Sequence, residues 1–252
     1  MYQYFIVVML TILSTSALGI EQESAQKTYA APKLIATFST SNVKPWGYIS
    51  PNNQEKGLLI DFNNALATAA NIKINNHIIP YPRAIKEIEN GKTDFAVMFK
   101  SPQAQEIGIS LGEVTETKIL LIALSGTSTI KDLSQLGNQL VGFIRGSKYG
   151  DKFDSNTQLK KVALGSMKQG IELLLKGRIA AMASTDITFY AALKEMNISS
   201  TKVKPIMTIS SMTGHLYFSK ASPNTHLIEP LKHALNQLRD NGTLKQIFSK
   251  FH

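Results

Sequence analysis

The sequence predicts an α/β protein with a mostly parallel sheet, and three observations carry that expectation. Short apolar runs of strand length alternate with amphipathic stretches of helix length. The alternation occurs as two successive series, on either side of the continuous apolar run Lys118 to Leu124. Glycine, proline and cap-type residues punctuate the boundaries.

In chain order, Leu34 to Phe38 reads as the first strand. A helix is expected from Asp61, a residue type that caps helix starts, with Phe62, Leu66 and Ala69 on one face. Ile74 to Ile79 is a strand. Tyr81 to Asn90 is a short helix with Pro82 at its opening turn, Ile85 and Ile88 on one side and Gly91 as its stop. Phe95 to Phe99 is the next strand, followed by Lys118 to Leu124. The second series begins with the strand Gln139 to Phe143 and a turn at Arg145 to Ser147 that opens a helix toward Phe153. Ser166 caps a helix ending at Gly177, then come the strand Ile179 to Ser184 and the helix Asp186 to Met196. After Pro205 the chain offers a strand at His215 to Ser219, a helix from about Thr225 to Asp240, a break at Asn241-Gly242 and a last helical turn toward Phe251.

The chain has 252 residues, 43% of them hydrophobic, and no cysteine. That length suffices for one or two domains with their own cores, and it excludes a disulfide scaffold or a thiolate metal site. The net charge is +9, and residues 125–207 hold twelve basic side chains against six acidic ones, a net of +6. An excess of this kind serves solubility or an anionic ligand or surface. Nucleic acid is not an expected partner, because the lysines are isolated and no basic helix is interleaved with aromatics.

Phe5 to Leu18 is an apolar run too short to span a bilayer comfortably, followed by Gly19 and a polar stretch. It reads as a signal peptide over residues 1–19, with Ala17 and Gly19 as the small residues of a cleavage site, and so predicts a periplasmic protein. Met1 to Tyr4 carries no Lys or Arg, which leaves an uncleaved anchor as the alternative.

Five blocks in order then become specific: GLLIDFNNALA at 57–67, ENGKTDFAVMF at 89–99, IKDLSQLGNQLVGFIRGSKYG at 130–150, SMKQGIELLLKGRIAAM at 166–182 and LIEPLKHALNQLRDNGTLKQIFSKF at 227–251. Together they resemble the family 3 extracellular solute-binding proteins of bacterial transport systems. The resemblance implies the two-lobed periplasmic binding protein fold (type II), each lobe a mostly parallel sheet flanked by helices, with two hinge strands. Lobe 1 would comprise residues 33–122 plus 208–252, and lobe 2 residues 123–207. It also implies a monomer that binds a small polar solute, an amino acid or related small carboxylate, between the lobes and delivers it to a membrane ABC permease. A sensor without transport is the first alternative, and a dehydratase-like enzyme on the same fold the second. No catalytic residue, metal or cofactor is expected: the five histidines are scattered, and neither an HExxH spacing, a GxSxG elbow nor a P-loop occurs.

Ligands of such lobes sit beyond the carboxyl ends of the strands, so contacts should come from both lobes. From the first lobe, Trp46 and Tyr48 follow the first strand where the family places a covering aromatic, Arg83 in YPRAI offers a bidentate guanidinium, and Phe99, Lys100 and Ser101 follow the third strand. From the second lobe, Arg145, Ser147 and Tyr149 belong to the expected strand-to-helix turn, and Thr185 and Asp186 end the strand after GRIAAM. Each has a plain structural alternative, Arg83 as a solvated or structurally paired arginine and Asp186 as a helix cap among them. Two departures matter. Ala104 stands where amino-acid binders of the family carry their carboxylate-clamping arginine, and Thr185 where they carry the amine-binding aspartate. Arg83 and Asp186 are the available replacements; otherwise the ligand is not an α-amino acid.

Overall fold

The structure, a computed structural model, describes residues 34–251. The expected signal peptide lies outside the described residues. The described chain builds one mixed sheet of eight strands in the order β4-β1-β5-β10-β6-β9-β7-β8. Its first part holds β1 (Ile35–Ser41), the small hairpin of β2 (Tyr48–Ile49) and β3 (Glu55–Lys56), α1 (Leu58–Ala69), β4 (Lys73–Ile79), α2 (Tyr81–Glu89), β5 (Phe95–Phe99) and α3 (Pro102–Ile107). The long strand β6 (Gly108–Leu124) leads to β7 (Leu140–Ile144), α4 (Asp151–Asp154), β8 (Lys160–Leu164), α5 (Met167–Leu175), β9 (Ala181–Thr185) and α6 (Asp186–Met196). A second long strand, β10 (Val203–Ser219), returns the chain to α7 (Ile228–Asp240) and α8 (Thr243–Phe248).

The outer pairs are parallel: β1 with β4 and β5 on one side, β7 with β8 and β9 on the other. The middle is antiparallel. β6 and β10, 17 residues each, pair along nearly their whole length, from Ser219 opposite Gly108 to Val203 opposite Leu124. One end of β10 also pairs with β5, and one end of β6 with β9. These two strands therefore run through both halves of the sheet, the position in which the fold carries its hinges.

Burial follows the two halves. Phe38 of β1, Phe62 and Leu66 of α1, Phe95 of β5, Leu231 and Leu235 of α7 and Phe248 of α8 belong to one apolar cluster. The other half packs Val141, Phe153 and Ala183 on one face of its sheet, and Leu164, Ile171, Met182 and Phe189 on the other. Burial of this apolar area is what holds each half, at roughly 25 cal/mol per Å².

Several boundaries differ from expectation for identifiable reasons. α1 starts at Leu58, not at Asp61: the amides of Leu58 and Leu59 donate to the carbonyls of Pro45 and Trp46 (both 2.9 Å), so backbone supplies the cap and Gly57 precedes the helix. Asp61 instead pairs with Lys250 at 2.6 Å. β6 begins ten residues before Lys118, hidden by the polar residues that alternate with buried Leu111, Val114 and Thr115. Pro205 lies inside β10, opposite Ile122, where only one neighbour pairs and the register slips before Met207, a place where a missing N–H is tolerated. The hairpin β2–β3, α3 and β8 are additions. α5 and α6 match expectation, and Ser166 does cap α5, accepting the Gln169 amide at 3.2 Å.

Candidate functional site

A cavity of about 720 Å³, counted with its open mouth, lies between the two halves at the carboxyl ends of β1, β5, β7 and β9. One wall carries Ser41 at the end of β1, Val43 and Trp46 of the following loop, Leu59 of α1 and Tyr81 at the head of α2. Val97, Met98 and Phe99 of β5 continue it, with Thr115 and Gly214 from the long strands as floor. The facing wall is Ile144 of β7, Ser147 to Tyr149 of the turn after it, and Ser184, Thr185 and Thr188 of β9 and α6.

The walls touch directly. The Trp46 indole N–H donates to Thr188 Oγ1 at 3.1 Å, and Thr188 Oγ1 also accepts from Thr185 Oγ1 at 2.8 Å. Thr185 caps α6, accepting the Thr188 amide at 3.1 Å, so one cap fixes both hydroxyls at the cavity. The backbone fixes the indole from the other side: Trp46 supplies the carbonyl that caps α1, and its ring packs 6.3 Å from that of Phe248. Farther out, Lys44 Nζ lies 2.6 Å from Glu195 Oε1 of α6, an exposed pair worth about 0–1 kcal/mol. The turn after β7 also approaches α2, so that a Cβ on Gly146 would lie 3.0 Å from Pro82 Cγ.

Two phenols shape the polarity. Burial pushes the Tyr149 hydroxyl up to about 12, only partly offset by the Ile144 amide donating to it at 3.2 Å and by a hydrogen bond with Ser147, and Asp154 adds to the rise. Burial likewise pushes Tyr81 up to about 12, with the charge of Asp154 and the neighbouring Tyr217 phenol adding to it. Both are neutral at physiological pH and offer hydroxyls rather than charges. Among the described lining residues the single charged side chain is Lys148. Among the described residues, no group of three or more His, Asp or Glu side chains is placed to hold a metal ion.

Of the residues expected from the sequence, the structure brings Trp46, Phe99, Ser147, Tyr149 and Thr185 together at this cavity. The others lie elsewhere. Tyr48 sits in the hairpin under the Lys44 ammonium, 5.0 Å from the ring centroid. Arg83, third in α2, is exposed and outside the lining, as is Lys100, whose amide donates to the Thr213 carbonyl at 2.9 Å. Ser101 caps α3, its hydroxyl accepting the Ala104 amide at 3.2 Å. Arg145 is exposed, and its amide donates to Leu164 O at 2.9 Å beyond the last β7–β8 pair. The helix expected at Ser147 starts only at Asp151, so the turn does not present a helix N-terminus. Asp186 is 5% exposed and accepts hydrogen bonds from Thr117 Oγ1, the Lys118 amide (3.1 Å) and the Ile187 amide (2.7 Å), which hold its carboxylate in the interior at the start of α6. Ala104 is 3% exposed and packs with Ile88, Met98 and Tyr217.

Reading from sequence missed Tyr81, Thr115, Lys148 and Thr188 as lining residues. A signal existed for two of them. Tyr81 heads the block that drew attention to Arg83, and Thr188 follows the Thr185 cap at the spacing of a capping turn.

Solved structures with the same architecture are numerous. The chain superposes on an ancestral arginine-binding protein bound to arginine with a TM-score of 0.70 at 20% identity, covering 87% of this chain and 97% of that one. It is similar to the arginine-, lysine-, histidine-binding protein of Geobacillus stearothermophilus (TM-score 0.68, 16% identity, 87% and 94% covered). A histidine kinase sensor domain with similarity to periplasmic binding proteins matches at a TM-score of 0.72 and 13% identity, with 87% and 96% covered. At these identities the likeness carries the two-lobed fold. No curated protein sequence matches the chain. The family description that does match spans residues 35–252, nearly the whole described region. With that match over residues 35–252, the chain belongs to the bacterial extracellular solute-binding proteins, family 3.

Proposed function

We propose that this solute-binding protein captures a small polar solute, an amino acid or related small carboxylate, by closing two lobes on it and hands it unaltered to a membrane ABC permease. The observation that carries this reading is the hydrogen bond from Trp46 to Thr188 across a cavity walled from both halves. A ligand enclosed there touches both walls, so it stabilises the closed arrangement over the open one, and closure removes it from water. Residues 33–122 with 208–252 form one lobe in this reading and 123–207 the other, with β6 and β10 bending between them. The protein works as a monomer in the periplasm after loss of residues 1–19.

The test is a thermal-shift screen over amino acids, opines, polyamines and small organic acids, followed by titration of Trp46 emission. A true ligand raises the melting temperature by mass action and changes the emission of this single indole. An unchanged spectrum at saturation removes Trp46 from the site. Recovery of the ligand chemically unchanged separates binding from turnover.

The likeness to a histidine kinase sensor domain favours a second reading, a sensor that reports the solute without moving it. Deleting the gene distinguishes the two: the transport reading expects lost high-affinity uptake of the labelled ligand, the sensor reading intact uptake with a lost response.

A further inference from the structure

We propose that the cleft selects an organic anion with an apolar body, seated with its carboxylate toward Lys148. This deepens the binding reading above and rests on it. The charge of the walls points this way. Lys148 is the one charged lining residue among those described, and none of the ion pairs among the described residues uses it. The carboxylates carried by the same segments stand outside the lining: Asp186 accepts from Thr117, Lys118 and Ile187, Glu195 pairs with Lys44, Asp154 accepts the Tyr149 amide at 3.0 and 3.3 Å behind that ring, and Asp151 is exposed. A ligand ammonium entering this cavity would leave water for walls whose polar groups are hydroxyls and one like charge, whereas a carboxylate gains a cation and hydroxyl donors in exchange.

The rest of the wall specifies the body. Leu59 and Met98 are 3% and 2% exposed, and with Val97, Phe99, Ile144 and the indole of Trp46 they give an apolar surface on both sides. The indole N–H is already committed to Thr188, so Trp46 offers a ligand its ring face rather than a donor. An apolar group of a few carbons gains about 0.8 kcal/mol per buried CH₂ there. The hydroxyls of Ser147 and Tyr81 lie on opposite walls, which lets one carboxylate engage both as the halves meet.

The experiment is calorimetry and thermal shift on the full chain with four probes: 3-phenylpropionate, 4-methylpentanoate, 3-phenylpropylamine as the oppositely charged analogue of the first, and arginine. At least one carboxylate is expected to bind tenfold or more tighter than either amine-bearing probe, and Lys148→Met to weaken that carboxylate at least tenfold. Because Lys148 is exposed, the melting temperature of the unliganded variant should stay at the wild-type value. The proposal is overturned if an amine-bearing probe binds as tightly as the tighter of the two carboxylates, or if Lys148→Met leaves that carboxylate's affinity unchanged. Binding of arginine or another cationic or neutral solute, with neither carboxylate probe bound, sinks the anion assignment and leaves the solute-binding function standing. Silence across these probes and across the wider solute screen overturns both.

Discussion

Gly57→Ala is expected to cost about 3 kcal/mol or more of stability and to abolish ligand binding, although it adds a single methyl group. Gly57 has φ +130°, a conformation that side-chain-bearing residues rarely adopt, at a strain of about 1–3 kcal/mol. A Cβ there would lie 2.5 Å from Trp46 O, 2.7 Å from Trp46 C and 2.8 Å from Gly47 Cα, and none of these backbone atoms is free to turn aside as a flexible side chain would. The same carbonyl accepts the Leu59 amide and so caps α1, so the methyl group displaces the cap and the indole together. Gly177→Ala separates conformational strain from collision, since Gly177 has φ +64° but open space where its Cβ would go, and should lose only about 1 kcal/mol. Urea unfolding gives both costs, and ligand titration gives the second effect. Equal losses for the two variants would show that the contact with Trp46 does not matter.

Asp94→Ala should be comparably damaging, and here the effect depends on pH. The carboxylate is 2% exposed and accepts four hydrogen bonds: from the Thr37 amide and hydroxyl (both 2.7 Å), Ser222 Oγ (2.6 Å) and Asn224 Nδ2 (2.9 Å). It thereby ties β1 to the start of β5 and to the loop after β10. Burial alone would raise its pKa, but the bonds from Ser222, Thr37 and Asn224 outweigh that and hold it below the usual aspartate value. Hydrogen bonds to a charged group are worth about 1.5–3 kcal/mol each, and the substitution leaves several buried donors unmatched, so a loss of about 3 kcal/mol or more is expected at neutral pH. A depressed folded-state pKa means that this stability is fully present above the unfolded value, about 4, and is lost as pH falls through the folded one. The wild type should therefore lose stability steeply below about pH 4, and Asp94→Ala should show a shallower slope there. Some slope will remain, because Glu87, buried yet bonded by Lys92 and His77, is held low in the same way. A variant whose acid slope matches the wild type would place the linkage elsewhere.

How much of this was legible in the sequence depended on whether a feature was local. Amphipathic spacing and a capping serine sufficed for α5, and the Ile85 and Ile88 side marked α2, because a helix declares itself within a few residues. The long strands did not declare themselves. Thr115 and Thr117 are only 8% and 1% exposed, yet polar residues on a shared central strand look like a loop until their partners are known. At the site, the strand ends were readable and the direction of individual side chains was not. Charge drew the sequence reading to Arg83 and Asp186, whereas the folded cavity is lined by Tyr81 and Thr188, whose uncharged hydroxyls are marked only by their position beside those residues. Asp186 lies outside the lining, and one of the bonds that hold it inward comes from Thr117, 69 positions away, which no local pattern announces.

The route of the chain through β10 also sets an order of assembly. Leu231, Leu235, Leu244 and Phe248 complete the cluster that Phe38, Phe62 and Phe95 begin, but they are made last. A nascent polypeptide that has emerged only through β9 therefore exposes an unfinished, sticky surface from its earliest strands. Its earliest strands gain their full partner surface only when the C-terminal helices arrive, and until then such a surface is prone to aggregation.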